Sequence, residues 1–455
     1  MADRADVVVV GMGPGGEYLA GELARRGLDV VGVDEDHVGG ECPFWGCVPS
    51  KTMIRSSNLI AEARRAGEIA GSVTVTPDWS LVAKRVREKT SNFNDGSHAK
   101  SFEKKGGRLV RGHGRLDGPG RVVVGESVIE ASRAVVLNPG TMPTIPPVDG
   151  LEGTPFWTNH DAIETEELPA SMIVMGGGSI GVELSQVFAR FGTEVTVVEG
   201  ADRIISMEEP EASELLTKVF DREGIKVRTG MWASGVAHNG ETFKVSFDGG
   251  GSLEADRLLV ATGRHADLAA LGIGSVGADE KSHFIDVDER MRVCQGVWAI
   301  GDATGKGAFT HISMYQAEIA LADILGEPWE PADYRDLSRV TFTDPEIGSV
   351  GMIEATARSE GIEVRTGYTE IPDSTRGWVH GPGNDGFIKL IEDANRGVLV
   401  GATSVGPTGG EVLSMLTLAV HEEIPVTRLR SMIYAYPTFH RAVISALDDL
   451  SSRRA

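Results

Sequence analysis

In two segments of the chain a short, continuously apolar run leads into a helical stretch and on to a second apolar run, the pattern of strands buried on both faces of a parallel sheet. ADVVVVGMGPGGEYLAGELARRGLDVVGVDED begins with such a run, turns through Gly11, Gly13 and Gly16, enters a helix, and returns on a second strand ending at Asp34. SMIVMGGGSIGVELSQVFARFGTEVTVVEG repeats the plan with Gly176, Gly178, Gly181 and Glu199. First glycine and strand-end carboxylate lie 23 residues apart in both copies. In each copy the first glycine permits a tight turn, the second lets the backbone approach a pyrophosphate, and the third lets helix and strand pack closely. The helix N-terminus faces phosphate charge, and the carboxylate accepts hydrogen bonds from a ribose hydroxyl. One such turn is a weak signal; two, each framed by strand, helix and acid, predict two bound dinucleotides. Two dinucleotides on one chain point to hydride passing from a nicotinamide to a flavin.

Between and beyond the two copies the pattern changes. From Gly106 to about Val136, short β-prone segments with Gly and Pro turns predict a meander. Ala255–Asp267, ADRLLVATGRHAD, reads as a strand closing the second unit, and GVWAIGDATG as a further buried strand ending in Gly301-Asp302. From Arg339 onward, VTFTDPEIGSVG, GFIKLIED and GVLVGATSVG read as strands followed by two amphipathic helices. That tail holds no nucleotide fingerprint and reads as a separate α+β domain for association. The predicted class is α/β: two Rossmann-like dinucleotide-binding domains plus a C-terminal α+β dimerisation domain.

Composition narrows the partners. The 455 residues carry a formal net charge of −22, which disfavours nucleic acid and anionic membrane, since both recruit basic patches. The first strand begins at Val7, leaving no room for a signal peptide, and no run has the roughly 18 apolar residues of a membrane span. A cytoplasmic location is the expectation. Three cysteines are too few for a secreted disulfide scaffold.

Two of the three stand close together in GGECPFWGCVPSK, as Cys42 and Cys47. Residues five apart on a regular helix have Cα atoms roughly 8.6 Å apart, beyond the limit of about 7 Å for a disulfide. Pairing therefore needs a distorted turn, which Pro43 and Gly46 are suited to provide. A redox pair, a metal site and two inert thiols are the readings; metal is disfavoured because the spacing is unusual for zinc and Cys294 brings no neighbouring His or Cys.

This segment, together with the duplicated turns, resembles the flavin-dependent pyridine nucleotide–disulfide oxidoreductases, the family of dihydrolipoamide dehydrogenase, glutathione reductase and mercuric ion reductase. The resemblance spans essentially the whole chain. It implies FAD on Gly11–Asp34 and NADH or NADPH on Gly176–Glu199, with Gly40, Gly140, Gly263 and Gly301 at further cofactor turns. Residues 1–147 and 269–334 would form the FAD-binding part, 148–268 the NAD(P)-binding domain, and 335–455 the interface domain of a homodimer with its active site between subunits. Asp302 matches the aspartate that bonds the flavin's ribityl chain, and Thr310 and His311 begin the helix facing its pyrimidine edge. Cys47 matches the thiolate beside the flavin, Cys42 the outer sulfur that attacks substrate, and Lys51 with Glu183 the pair beside the flavin N5.

Glu199 favours a free 2′-hydroxyl, so NADH is expected. Gly200 follows it where NADPH enzymes often have arginine, and Arg203, the only cation near it in sequence, reads as a solvated helix-start residue. Ser179 stands at the place of an aromatic gate, which implies a more open nicotinamide site.

The departure lies in YAYPTFHRAV. Disulfide reductases of the family carry His-Pro-Thr and then Glu, a proton-shuttling pair supplied by the partner subunit. Tyr436 and Arg441 replace them here, with Pro437 and Thr438 intact. A tyrosine with its ordinary pKa near 10 is a poor base at neutral pH. His440 is close in sequence, but on a helix it points about 100° away from Arg441. Mercuric ion reductase also has the tyrosine but relies on a C-terminal cysteine pair, and DDLSSRRA has none. Three readings follow: NADH-driven reduction of a disulfide or other thiol-reactive acceptor through Cys42–Cys47, quinone or dye reduction from the flavin itself, and a redox sensor with little turnover.

Overall fold

The computed structural model describes residues 3–452, so the last three residues of DDLSSRRA lie outside the described residues. The chain divides into two compact units: residues 1–49, 84–144 and 263–333, and residues 50–83, 145–262 and 334–455. The boundary between the first two segments falls within the helix Cys47–Ile69.

The first unit is built on one sheet whose strands run in the order Arg292–Cys294, Val297–Ala299, Ser127–Leu137, Asp3–Val10, Val30–Asp34, Arg108–Arg111. The strand Asp3–Val10 lies at its centre, parallel to both neighbours, with Val7 opposite Val30 and Val10 opposite Leu137. Its valines serve two cores. Val7 and Val9 pack on one face with the helices Pro14–Arg25 and Thr310–Leu325, while Val8 and Val10 pack on the other with Leu116, Val122 and Ile285. Burial on both faces explains why this strand reads as an unbroken apolar run. The expected meander is present as Gly114–Leu116, Arg121–Val124 and Ser127–Leu137, paired antiparallel.

The second unit contains three sheets. A four-stranded parallel sheet runs Lys226–Arg228, Glu194–Val198, Ser171–Met175, Arg257–Val260, and a three-stranded antiparallel sheet spans Ala233–Ala255. The strand expected over Ala255–Asp267 thus ends at Val260; Arg264–His265 instead pairs with Met142–Pro143 in the first unit. The third sheet is antiparallel, ordered Ser338–Thr341, Glu346–Gly351, Val398–Gly406, Phe387–Asp393, Val364–Glu370. VTFTDPEIGSVG is therefore two strands folded about Asp344-Pro345, and Val364–Glu370 is a strand the sequence reading lacked. The helices Gly409–His421 and Ala442–Ser452 cover this sheet, joined by the short helix Val426–Arg430.

Candidate active site

Both glycine turns are built alike, down to individual hydrogen bonds. Gly11 has φ +89°, and a Cβ there would meet the Asn138 carbonyl oxygen at 2.1 Å. Gly176 has φ +110°, and its Cβ would meet the Ala261 oxygen at 2.2 Å. Gly16 and Gly181 approach the carbonyls of Gly11 and Gly176 so closely that a Cβ would lie 2.2 and 2.0 Å from their oxygens, which leaves no room for a side chain. Gly13 and Gly178 cap the helices Pro14–Arg25 and Ser179–Phe191 without any side-chain hydrogen bond, so the first-turn N–H groups point outward. The acids repeat as well. Asp34 accepts from the N–H groups of Met12 (2.7 Å) and Asp36 (2.8 Å), Glu199 from those of Gly177 (2.6 Å) and Ala201 (2.8 Å). Burial pushes the Asp34 carboxyl above its ordinary range. Gly40, at φ +64°, comes so close to the first turn that a Cβ would lie 2.8 Å from the Gly13 Cα. Two helix ends without a side-chain cap, each with a carboxylate bonded to its glycine turn, fit two dinucleotides.

The remaining glycines expected at cofactor turns do adopt turn conformations. Gly140, Gly263 and Gly301 all have positive φ (+69°, +128° and +78°). Asp302 follows Gly301 and accepts from the Thr141 hydroxyl at 3.2 Å; burial raises its pKa, and the Arg264 charge works against that. Arg264 in turn donates to Thr141 Oγ1 (3.0 Å) and to Glu41 (3.0 Å), the neighbour of Cys42. Asn138 ties the first turn to the helix after Asp302, donating to Gly11 O (3.2 Å) and accepting from Ser313 (3.3 Å). Glu41, Asn138, Thr141 and Arg264 escaped sequence reasoning. Their only signal is position: each stands next to, or shortly before, a glycine or cysteine already singled out.

The cysteines sit on two helices. Cys42 belongs to the short helix Glu41–Phe44, and Cys47 is the first residue of Cys47–Ile69. Between them Trp45 and Gly46 both donate to the Glu41 carbonyl, at 2.8 and 2.6 Å, which ends the first helix. A Cβ on Gly46 would sit 3.3 Å from the Cys42 Cα, so the close turn suits glycine. The break brings the two thiols into a hydrogen bond, and Cys47 Sγ also lies 3.5 Å from Thr310 Oγ1. Thr310 opens the 16-residue helix Thr310–Leu325, and the exposed His311 stacks on Phe309, ring centres 5.2 Å apart. The bond to Cys47, and then burial, hold the half-buried Cys42 thiol far above the ordinary thiol range. No disulfide links the two sulfurs in this structure.

In the second unit, Lys51 Nζ bonds Glu183 Oε2 at 2.8 Å and lies 4.7 Å from the centre of the Phe342 ring. Glu183 is 5% exposed, and its other oxygen accepts from the Phe342 N–H at 2.8 Å. Ser179 bonds Thr341 at 2.9 Å. Arg203 is not at a helix start: it donates to the carbonyls of Ile205 (3.3 Å) and Ser206 (2.6 Å), and the next helix begins at Pro210. It pins the loop after Glu199. A second cation, Arg228, stands on the neighbouring strand, where its carbonyl accepts from Glu199 N.

Tyr436 is 66% exposed and its hydroxyl donates to Thr375 Oγ1 at 3.3 Å. Arg441 lays its guanidinium over the Tyr436 ring, 5.2 Å from the centre. His440 lies in the same short turn, Phe439–Arg441, 3.5 Å from Thr438 Oγ1 and beside the ring of Tyr434.

Residues 5–317 match the family model described as pyridine nucleotide-disulphide oxidoreductase, and residues 337–447 match the dimerisation domain of the same family. The chain is 31% identical to a dihydrolipoyl dehydrogenase of Zymomonas mobilis, over 98% of each chain. It is also 31% identical to a mercuric reductase of Shewanella putrefaciens, over 95% of this chain and 78% of that protein. Among solved structures, LpdA of Mycobacterium tuberculosis superposes with a TM-score of 0.86 at 26% identity, over 99% of this chain and all of the other. The HOCl-induced flavoprotein disulfide reductase RclA of Escherichia coli shares the fold, with a TM-score of 0.85 at 24% identity over 98% of this chain and 99% of the other.

Proposed function

The chain belongs to the pyridine nucleotide–disulphide oxidoreductases, FAD-dependent enzymes that draw electrons from NAD(P)H, and from that premise we propose that it is an NADH-driven reductase of a disulfide or other thiol-reactive acceptor. The observation that carries this reading is the contact of Cys42, Cys47 and Thr310 at the start of the helix Thr310–Leu325.

Bound FAD supplies the two-electron step between nicotinamide and disulfide. The protein's own groups divide the remaining work. Gly11–Asp34 and the Asp302–Thr141–Arg264 chain hold the flavin nucleotide, and Gly176–Glu199 holds NADH, whose free 2′-hydroxyl suits the Glu199 carboxylate. Cys47 sits at a helix start with the Thr310 hydroxyl beside it, facing the place expected for the flavin. Cys42, kept protonated by Cys47 and by burial, is the outward sulfur, and its activation depends on a group that takes its proton. Lys51, with its charge fixed by Glu183, supplies a cation one helical turn after Cys47. The interface domain, residues 337–447, brings Tyr436, His440 and Arg441 to the partner's acceptor pocket in a homodimer. No described helix is long and apolar enough to cross a membrane.

Anaerobic titration of the purified protein with NADH, and then NADPH, tests the reading. A long-wavelength absorbance band after two electrons is the expected result. Simple bleaching without it, with Cys42→Ser leaving quinone reduction intact, would mean that electrons leave from the flavin and bypass the pair.

A further inference from the structure

Gly200, directly after the second strand-end acid, has a φ outside the left-handed region, so its backbone conformation does not call for glycine. A neighbour does. A Cβ at this position would lie 2.7 Å from Cε2 and Cζ2 of Trp232 and 2.8 Å from Cδ2. The indole therefore lies flat against the Gly200 backbone and fills the space that a side chain would need.

Trp232 is itself out of place for a structural tryptophan. It is 65% exposed, and the apolar core of this region takes in Met231 and Ala233 on either side but not Trp232. Its backbone is nevertheless pinned. Met231 N donates to Glu199 O (3.1 Å), Gly230 N to Ala201 O (2.7 Å), and Asp248 N to Trp232 O (3.1 Å). A large, exposed aromatic face is thus held over Gly200, the residue that follows Glu199, and that residue is reduced to glycine. Aromatic faces of this kind stack nucleobases regardless of sequence.

We propose that Trp232 is a specificity-determining residue of the nicotinamide nucleotide site, which takes an adenosine with a free 2′-hydroxyl. Its indole offers the base a flat apolar surface and, by occupying the space over Gly200, excludes the cationic side chain that a 2′-phosphate would require. Discrimination then rests on the pair Gly200–Trp232 as well as on the charge of Glu199. This rests on the reading that Gly176–Glu199 holds the nicotinamide nucleotide.

The test is calorimetric binding of ADP-ribose and of 2′-phospho-ADP-ribose to the flavin-loaded protein, with no turnover involved. Trp232→Ala should weaken ADP-ribose by about tenfold, the scale of one base–aromatic stack, and Trp232→Phe should keep most of the affinity. Gly200→Arg alone should gain nothing for the 2′-phosphorylated probe, whereas Gly200→Arg with Trp232→Ala should bind it at least tenfold more tightly than Gly200→Arg. Unchanged ADP-ribose affinity in Trp232→Ala, or an equal gain from Gly200→Arg alone, overturns the proposal. Gly178→Val separates the two layers, since position 178 has φ −73° and no atom within 4 Å of a Cβ. If it leaves binding intact, the second turn is not the nucleotide site. If it abolishes binding while Trp232→Ala has no effect, the proposal alone is wrong.

Discussion

Arg441 is stacked on Tyr436, with its guanidinium 5.2 Å from the centre of the ring. The two positions at which the resemblance leads one to expect an acid–base pair thus hold residues that stack on each other. A guanidinium cannot take a proton, and a phenol is a weak base at neutral pH.

Restoring the pair should therefore accelerate disulfide reduction. Tyr436→His with Arg441→Glu is expected to raise kcat/KM for a simple aromatic disulfide at pH 7 by about 10²-fold, the low end of general acid–base catalysis. Tyr436→Phe, which loses only the bond to Thr375 and keeps the ring under Arg441, should change it less than twofold. A large loss in Tyr436→Phe would instead make the phenol the proton carrier.

The Cys42 thiol, held up first by its bond to Cys47 and then by burial, sets the pH dependence. Its pKa lies above that of an ordinary thiol, so the thiolate fraction climbs about tenfold per pH unit throughout the neutral and mildly alkaline range. Alkylation of the two-electron-reduced protein at Cys42 should rise without a plateau over pH 6–9, on the order of that slope. In Cys47→Ala, which removes the leading cause, the profile should move to lower pH. An unshifted profile would show that burial alone controls the thiol.

Glu183 is buried against Lys51, and removing the lysine leaves a buried carboxylate without its cation. Lys51→Met should slow reduction by NADH in stopped flow by roughly two to three orders of magnitude, given that one preorganised donor aimed at developing charge is worth about 2.7–4 kcal/mol. Lys51→Arg should recover part of it. If Lys51→Met lowers only the thermal midpoint, the pair is structural.

Lys389 makes the corresponding structural case. It is 5% exposed and bonds Glu209 (2.9 Å), Glu211 (2.7 Å) and Glu354 (2.9 Å). Burial opposes its charge, but the three carboxylates outweigh burial and raise its pKa above the ordinary lysine value. The stability it contributes is thus present below the unfolded pKa and lost only as pH rises through the folded one, well into strong alkali. Lys389→Met should cost about 3–5 kcal/mol in denaturant unfolding, because Glu209 would be left buried without its cation. A loss under 1 kcal/mol would mean that the carboxylates find water.

What the sequence disclosed and what it hid divide along a physical line. Gly11, Asp34, Gly176 and Glu199 were legible because a tight turn, a helix start and a strand end occur at fixed spacing along a continuous stretch of chain. The Asp302–Thr141–Arg264–Glu41 chain was not, since four separate segments meet there and no local pattern records the meeting. Val364–Glu370 was missed because VRTGYTE puts Gly367 where a strand normally shows an apolar residue; Ala446 O lies so close that a Cβ would sit 2.1 Å away. Tyr436 and Arg441 could be read as departures from a motif, but their stacking depends on how the chain turns through Pro437 and Thr438. Trp232 carried no signal at all until its indole was seen against Gly200.

The helix break at Gly46 has a thermodynamic corollary. A Cys42–Cys47 bond would close a ring of only six residues, so the unfolded chain gives up little freedom when it forms. Loop-closure entropy sets the gain at about 2 kcal/mol, against nearly 5 for a hundred-residue ring. The fold should therefore melt at nearly the same temperature whether the pair is oxidised or reduced. Turnover can then swing the sulfurs between the two states without dragging the stability of a 455-residue protein along with them.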